Sequence, residues 1–182
     1  MFGTKLYMGA PDVIAFKERP WESFIYDVYD MNETLFEVAH AIVDHEDIVF
    51  GNLTLHFRLV PGHSSGSIAL FFEQEVDGQI LRFGMYGGLG LNTLQKQHLT
   101  DIDDPKFTMR ETYLHSIDSV INEHVDVTLG NHTKNNNVLE KHKQQSAHPE
   151  QPSPFIDSTA WQTLLAQYRS DMIELMHNPE QN

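Results

Sequence analysis

Leu53, Leu55, Phe57 and Leu59 alternate with Thr54, His56 and Arg58, the period of a strand with one buried face. Gly51-Asn52 supplies the turn before it. Residues 67–72 form a denser apolar run suited to a central strand, Asp77-Gly78 gives a hairpin turn, and residues 80–86 return as its partner. Gly84, Gly87, Gly88 and Gly90 follow, a stretch in which the backbone is expected to approach a neighbour closely. Helical spacing predicts four helices. Residues 11–17 carry Pro11 in the first turn ahead of Val13, Ile14 and Phe16. Residues 32–43 place Leu35, Ala39 and Ile42 on one face, and residues 105–124 do the same with Met109, Tyr113, Ile117, Val120 and Ile121. Residues 158–176 close the chain with a stripe that includes Trp161, Leu165, Tyr168 and Met172. Lys5-Leu6-Tyr7-Met8 reads as a short strand, and residues 125–129 as a buried one ending at Gly130-Asn131-His132. Residues 144–154, polar and Pro-containing, read as a surface loop. Strands and helices interleave without an internal repeat, so the class is α/β or mixed α+β.

Composition narrows the picture. The 182 residues suit one domain, residues 1–182, with 40% hydrophobic and 21% charged positions. A formal charge of −14 repels phosphate backbones, which argues against nucleic acid as a partner. No run approaches the roughly 18–20 apolar residues that span a bilayer, and Met1-Phe2-Gly3-Thr4-Lys5 lacks the apolar core of a signal peptide. No membrane association and a cytoplasmic location are therefore expected. There are no cysteines, so disulfides, thiol nucleophiles and thiolate metal sites are excluded. Any metal site must be built from carboxylates and the 11 histidines.

Two segments stand apart from the core pattern. Pro61 and Gly62 set a tight turn that leaves His63 at a strand end, and Gly66 lets the chain turn back. Val125 to Leu129 deliver His132 at the end of a second strand. Strand ends are where ligands and metals gather in layered α/β folds, and two such histidines could share one zinc or serve two adjacent ones. On spacing alone a polar surface role fits a strand-end histidine more often. The other candidates have plainer readings. Asp44-His45-Glu46-Asp47 is an acidic turn before a strand at Ile48. His40, on the helix over 32–43, and His56, on a strand, are satisfied structural residues. His115 and His124 sit on a helix and at its C-terminus, where the helix dipole favours a cation, and His142 and His148 are solvated. The glycine run lacks the Gly-Lys-Ser/Thr ending of a phosphate loop.

Pro61-Gly62-His63-Ser64-Ser65-Gly66-Ser67 resembles the Pro-Gly-His-Thr-x-Gly-Ser motif of the metallo-β-lactamase superfamily, and the likeness continues in order. Arg82 to Gly90 resembles the strand and loop under the second metal, and Asn131-His132 the last metal-binding histidine. Ser153-Pro154-Phe155 with the closing helix resembles the tail of proteins near the third class of metallo-β-lactamases. Even Leu6 to Asp12 is similar to the strand and helix that follow the first metal motif. The resemblance implies two mixed sheets packed face to face with helices outside. It implies that His63 binds the first of two zinc ions and His132 the second. It further implies that metal-activated water attacks an ester, amide or thioester carbonyl of a small-molecule substrate, with no side-chain nucleophile. Two departures matter. Gly87 and Gly88 fall where many members carry a bridging aspartate, a bridge that the third class also manages without. The His-x-His-x-Asp-His signature, which completes both zinc sites, is absent. The chain is accordingly expected to be the C-terminal two-thirds of such a domain, holding zinc weakly or not at all. It is expected to be inactive alone and prone to self-associate through sheet surface such as Leu70 and Phe72. The alternative is a non-catalytic remnant or partner-binding domain.

Overall fold

A computed structural model describes residues 3–22 and 37–181 of the chain. Strand β1 (Leu6–Gly9) leads into helix α1 (Ala10–Glu18) and a short turn of 3-10 helix, and β2 (Val38–Ile42) pairs parallel with β1. β3 (Asp47–Phe50), β4 (Leu53–Leu59), β5 (Ile68–Val76) and β6 (Gln79–Tyr86) form an antiparallel meander, and β7 (Val127–Leu129) joins β6 in parallel. Between β6 and β7 lie α2 (Lys96–Asp101) and α3 (Thr108–Val120), and after β7 come α4 (Val138–Ala147) and α5 (Ala160–His177). The result is a two-stranded sheet beside a five-stranded one in the order β3-β4-β5-β6-β7. The mixed α/β class is as expected. Asp77 (φ 51°) and Gly78 (φ 80°) make the predicted β5–β6 turn, both in the left-handed region that a two-residue hairpin demands.

The pairing register sorts the five-stranded sheet into two faces, because side chains of directly paired residues share a side. One face, through Ala69, Phe71, Gly84 and Tyr86, packs under α3 and α5. Trp161 fills this core, meeting Phe71 edge-on at 5.3 Å and donating its indole N–H to the Val120 carbonyl at 2.9 Å. The other face runs through Ile48, Phe50, Leu55, Phe57, Leu59, Leu70, Phe72, Phe83, Met85 and Leu129. It is mostly apolar, with Gln74 and Gln79 at its far end, and Phe57, Leu81 and Val127 on it are buried. The small β1–β2 sheet reaches it where Tyr7 meets Phe50 edge-on at 5.3 Å. Leu70 and Phe72, expected to be uncovered, are half-buried; Phe72 stacks on Phe83 at 4.9 Å.

The structure corrects three elements. Of the helix predicted over 32–43, residues 32–36 lie outside the described residues, and Val38–Ile42 is a strand. β-Branched residues at both ends and the ladder to β1 outweigh a weak helical spacing. The loop predicted over 144–154 is helix as far as Ala147. α4 buries none of its residues, so no apolar periodicity announces it. It is tied down by Lys141, which donates to Asn136 Oδ1 at 2.6 Å. The helix predicted over 105–124 is shorter, because Asp104 caps it at Thr108 and Met109. Among the described residues no helix is long and apolar enough to cross a membrane.

Candidate metal centre

His63 is held by a loop that closes on itself. The Val60 amide donates to the Ser67 carbonyl at 2.8 Å and the Gly62 amide to the Ser64 carbonyl at 2.9 Å. Gly62 sits at φ 147°, and a Cβ there would fall 2.6 Å from Tyr113 Cβ, so only glycine lets the loop rest on α3. α1 clasps the same loop from the other side. Asp12 Oδ1 accepts the Gly66 amide and Oδ2 accepts the Ser64 hydroxyl, both at 2.6 Å. Gly9 lies so close to the Gly66 carbonyl that a side chain would collide with it.

The ring of His63 is oriented by the glycine-rich stretch. Its Nδ1 lies 2.7 Å from the Gly90 carbonyl and 3.1 Å from Thr93 Oγ1. A carbonyl only accepts, so Nδ1 carries the proton and the lone pair belongs to Nε2, the tautomer a metal-ligating imidazole needs. Tyr113 steadies this stretch by donating to the Leu89 carbonyl at 2.9 Å. Burial pushes its phenol pKa up, so it remains a donor across the working pH range. The close backbone approach expected of the glycines is found: Gly88 and Gly90 lie against His63, Gly87 against the Ile68 carbonyl, and Gly84 against Val125 and Phe71.

His132 sits in the loop that follows β7 and is exposed. Its loop is braced by buried Asn135, whose amide donates to the His132 carbonyl at 2.9 Å. Asn135 Nδ2 donates to Asn131 Oδ1 at 2.7 Å, and its Oδ1 accepts Tyr168 of α5 at 3.2 Å. His63 and His132 line one cleft of about 720 Å³, whose apolar wall includes Met8, Phe16, Leu89, Ile102 and Met109. A third imidazole, His98 of α2, lines it as well. Sequence reasoning missed His98; the available signal was that α2 directly follows the glycine stretch.

The acidic turn is structural, as read. Asp44 accepts the Leu59 amide at 2.9 Å, Glu46 pairs with His40 at 2.6 Å and Asp47 with His56 at 2.8 Å. His40 is therefore satisfied, though on a strand rather than a helix. The cleft's donors suit zinc in kind and fall short in number. Among the described residues no three His, Asp or Glu side chains are grouped so as to hold an ion. Asp12, which lines the cleft, spends both oxygens on the His63 loop.

No protein-family model matches the chain, and no curated protein does. Solved structures do match it. The native FEZ-1 metallo-β-lactamase from Legionella gormanii superposes with a TM-score of 0.80 at 23% identity, over 98% of this chain and 67% of that one. BJP-1, a subclass B3 metallo-β-lactamase of Bradyrhizobium japonicum, gives 0.76 at 18% identity, over 96% and 63%. The metallo-β-lactamase GOB-18 from Elizabethkingia meningoseptica gives 0.73 at 18%, over 94% and 62%. The chain thus spans about two thirds of the length of these structures, and over that span it has their fold.

Proposed function

We propose that this chain, with its metallo-β-lactamase fold, forms part of a zinc hydrolase centre in which His63 holds one zinc ion and His132 a second. The observation that carries the reading is the His63 ring. Its Nδ1–H is committed to the Gly90 carbonyl, leaving the Nε2 lone pair for an ion in the cleft that His132 also lines. Zinc held by His63 and His132 would supply Lewis acidity and lower the pKa of water to about 7, chemistry suited to hydrolysis of an ester, amide or thioester. The chain's own residues hold and position. The Asp12 clasp and the glycine stretch fix His63, the Asn135 network fixes the His132 loop, and the apolar wall takes the body of a small substrate. One imidazole per ion is below the three protein ligands usual for catalytic zinc, so hydrolysis belongs to an assembly in which further ligands join these two.

Calorimetric titration with zinc at neutral pH tests the assignment. Weak binding is expected, with His63→Ala and His132→Ala each removing one of the two ions and the double variant binding neither. Unchanged stoichiometry in either single variant, or binding that survives in the double variant, would place the ions elsewhere and end this reading.

A further inference from the structure

Helix α3 sends three buried donors to the two loops that carry and orient His63. Arg110, Tyr113 and Ser116 follow one another at three-residue steps, so they share one face of the helix. They are 1%, 0% and 6% exposed. Arg110 Nε donates to the Leu94 carbonyl at 2.9 Å, the Tyr113 hydroxyl to the Leu89 carbonyl at 2.9 Å and the Ser116 hydroxyl to the Pro61 carbonyl at 2.6 Å. The three acceptors are not scattered. Leu89 directly precedes Gly90 and Leu94 directly follows Thr93, the two residues that meet His63 Nδ1. Pro61 lies on the loop that bears His63 itself. By contrast, the buried Trp161 indole ties one helix to another. Arg110 is an unusual choice for such a tie, because a buried guanidinium loses its hydration. The Phe107 ring, 4.4 Å from its Cζ, and the charge of Asp104 offset that loss. Phe107 in turn holds φ 55°, a disfavoured conformation for a bulky residue.

We infer that Arg110, Tyr113 and Ser116 are positioning residues for His63, through which α3 sets where the ring points and which of its nitrogens carries the proton. The chain of cause is short. A free imidazole favours the proton on Nε2, and Nδ1 keeps it here only while the Gly90 carbonyl stays within hydrogen-bond reach. Pinning Leu89 and Leu94 holds the segment that contains this carbonyl. Pinning Pro61 holds the loop from which the ring approaches it, and Gly62 rests directly on Tyr113 between the two. Donor and acceptor of the one bond that fixes the tautomer are thus both referenced to a single rigid helix. The same helix lines the cleft through Met109, so one element sets both the apolar wall and the ring beside it. Ring orientation and tautomer do not depend on zinc; the availability of Nε2 to an ion rests on the zinc reading proposed above.

The experiment labels the histidines of the 182-residue chain with nitrogen-15 and reads the His63 ring nitrogens by NMR in mildly alkaline solution without metal. His63→Ala assigns the signals, and the amide spectrum verifies that each variant is folded. The Nδ1–H form should dominate in the parent chain. Tyr113→Phe and Ser116→Ala each remove one hydroxyl and little volume. Each should lower the ratio of Nδ1–H to Nε2–H at least about 3-fold, and the double variant at least about 10-fold. Arg110→Lys, which keeps the charge and loses the Nε donor, should act in the same direction. Ile117→Val trims the same helix at a fully buried core position without removing a hydrogen bond, and should leave the ratio unchanged. An unchanged ratio in the double variant, or an equal fall in Ile117→Val, would overturn the positioning role. Zinc titrated into the same samples and followed at His63 Nε2 should bind about 10-fold more weakly to the double variant. A ratio that shifts as expected, in a chain whose Nε2 never responds to zinc, would uphold the positioning residues and overturn the zinc reading alone.

Discussion

Gly88 rests against the His63 ring at φ +76°, and a methyl group there would fall 2.8 Å from His63 Cβ and 2.7 Å from Ser67 Oγ. Gly88→Ala therefore combines a disfavoured backbone conformation with two collisions. It should destabilise the chain by about 1–3 kcal/mol, read as a lower urea midpoint at unchanged slope. An unshifted midpoint would mean that the glycine stretch does not press on the ring. At this scale the sequence was informative where chemistry is local. The Pro61-Gly62 turn and Gly66 marked His63 as an end-of-strand residue, and the run into Gly130 marked His132. It was silent on Asn135, whose role depends on Tyr168, a residue 33 positions away. It missed His98 too, whose only signal was the nearness in sequence of α2 to the glycine stretch.

Helices α3 and α5 owe their starts to carboxylates that periodicity alone does not weigh. Burial raises the Asp104 pKa, but the Met109 and Thr108 amides, the Thr108 hydroxyl and the charge of Arg110 more than offset this. They hold it below the usual value of 3.8. At α5 the Thr159 hydroxyl leads in pulling Asp157 below the same value. A depressed folded pKa contributes stability that is complete above the unfolded value and lost as pH falls through the folded one. The urea midpoint should therefore decline as the solution is acidified below about pH 4. Asp104→Asn should flatten part of that decline while lowering the midpoint at neutral pH. An identical acid profile in the variant would remove Asp104 from the account. The strands of the meander were legible because their alternation is set by burial on each face. β2 and α4 were not: one is defined by its ladder to β1, the other by polar ties from Lys141.

Across the whole molecule, the layered class and the order of elements followed from the pattern of apolar runs. The shortfall of metal ligands followed from an absent motif. The chain by itself should turn over neither nitrocefin nor nitrophenyl acetate, with or without added zinc, because neither ion position reaches the ligand count that holds a catalytic zinc. Zinc-dependent turnover that disappears in His63→Ala would show that the described cleft already suffices.

The clasp between Asp12 and Gly66 joins residues 54 positions apart, whereas the meander between them is built from neighbours in sequence. α1 buries none of its residues, so β1 and α1 are expected to be among the first pieces to lift away in partial opening. The histidine loop inherits that behaviour, being ordered on one side by a segment of low local stability. Native-state hydrogen exchange should find the Gly66 amide opening at a lower free energy than the Leu70 amide in the central strand. Equal values would mean that the clasp lets go only when the whole chain unfolds. With unequal values, the pocket around His63 has a hinged wall, and an ion or peptide can enter without melting the sheet behind it.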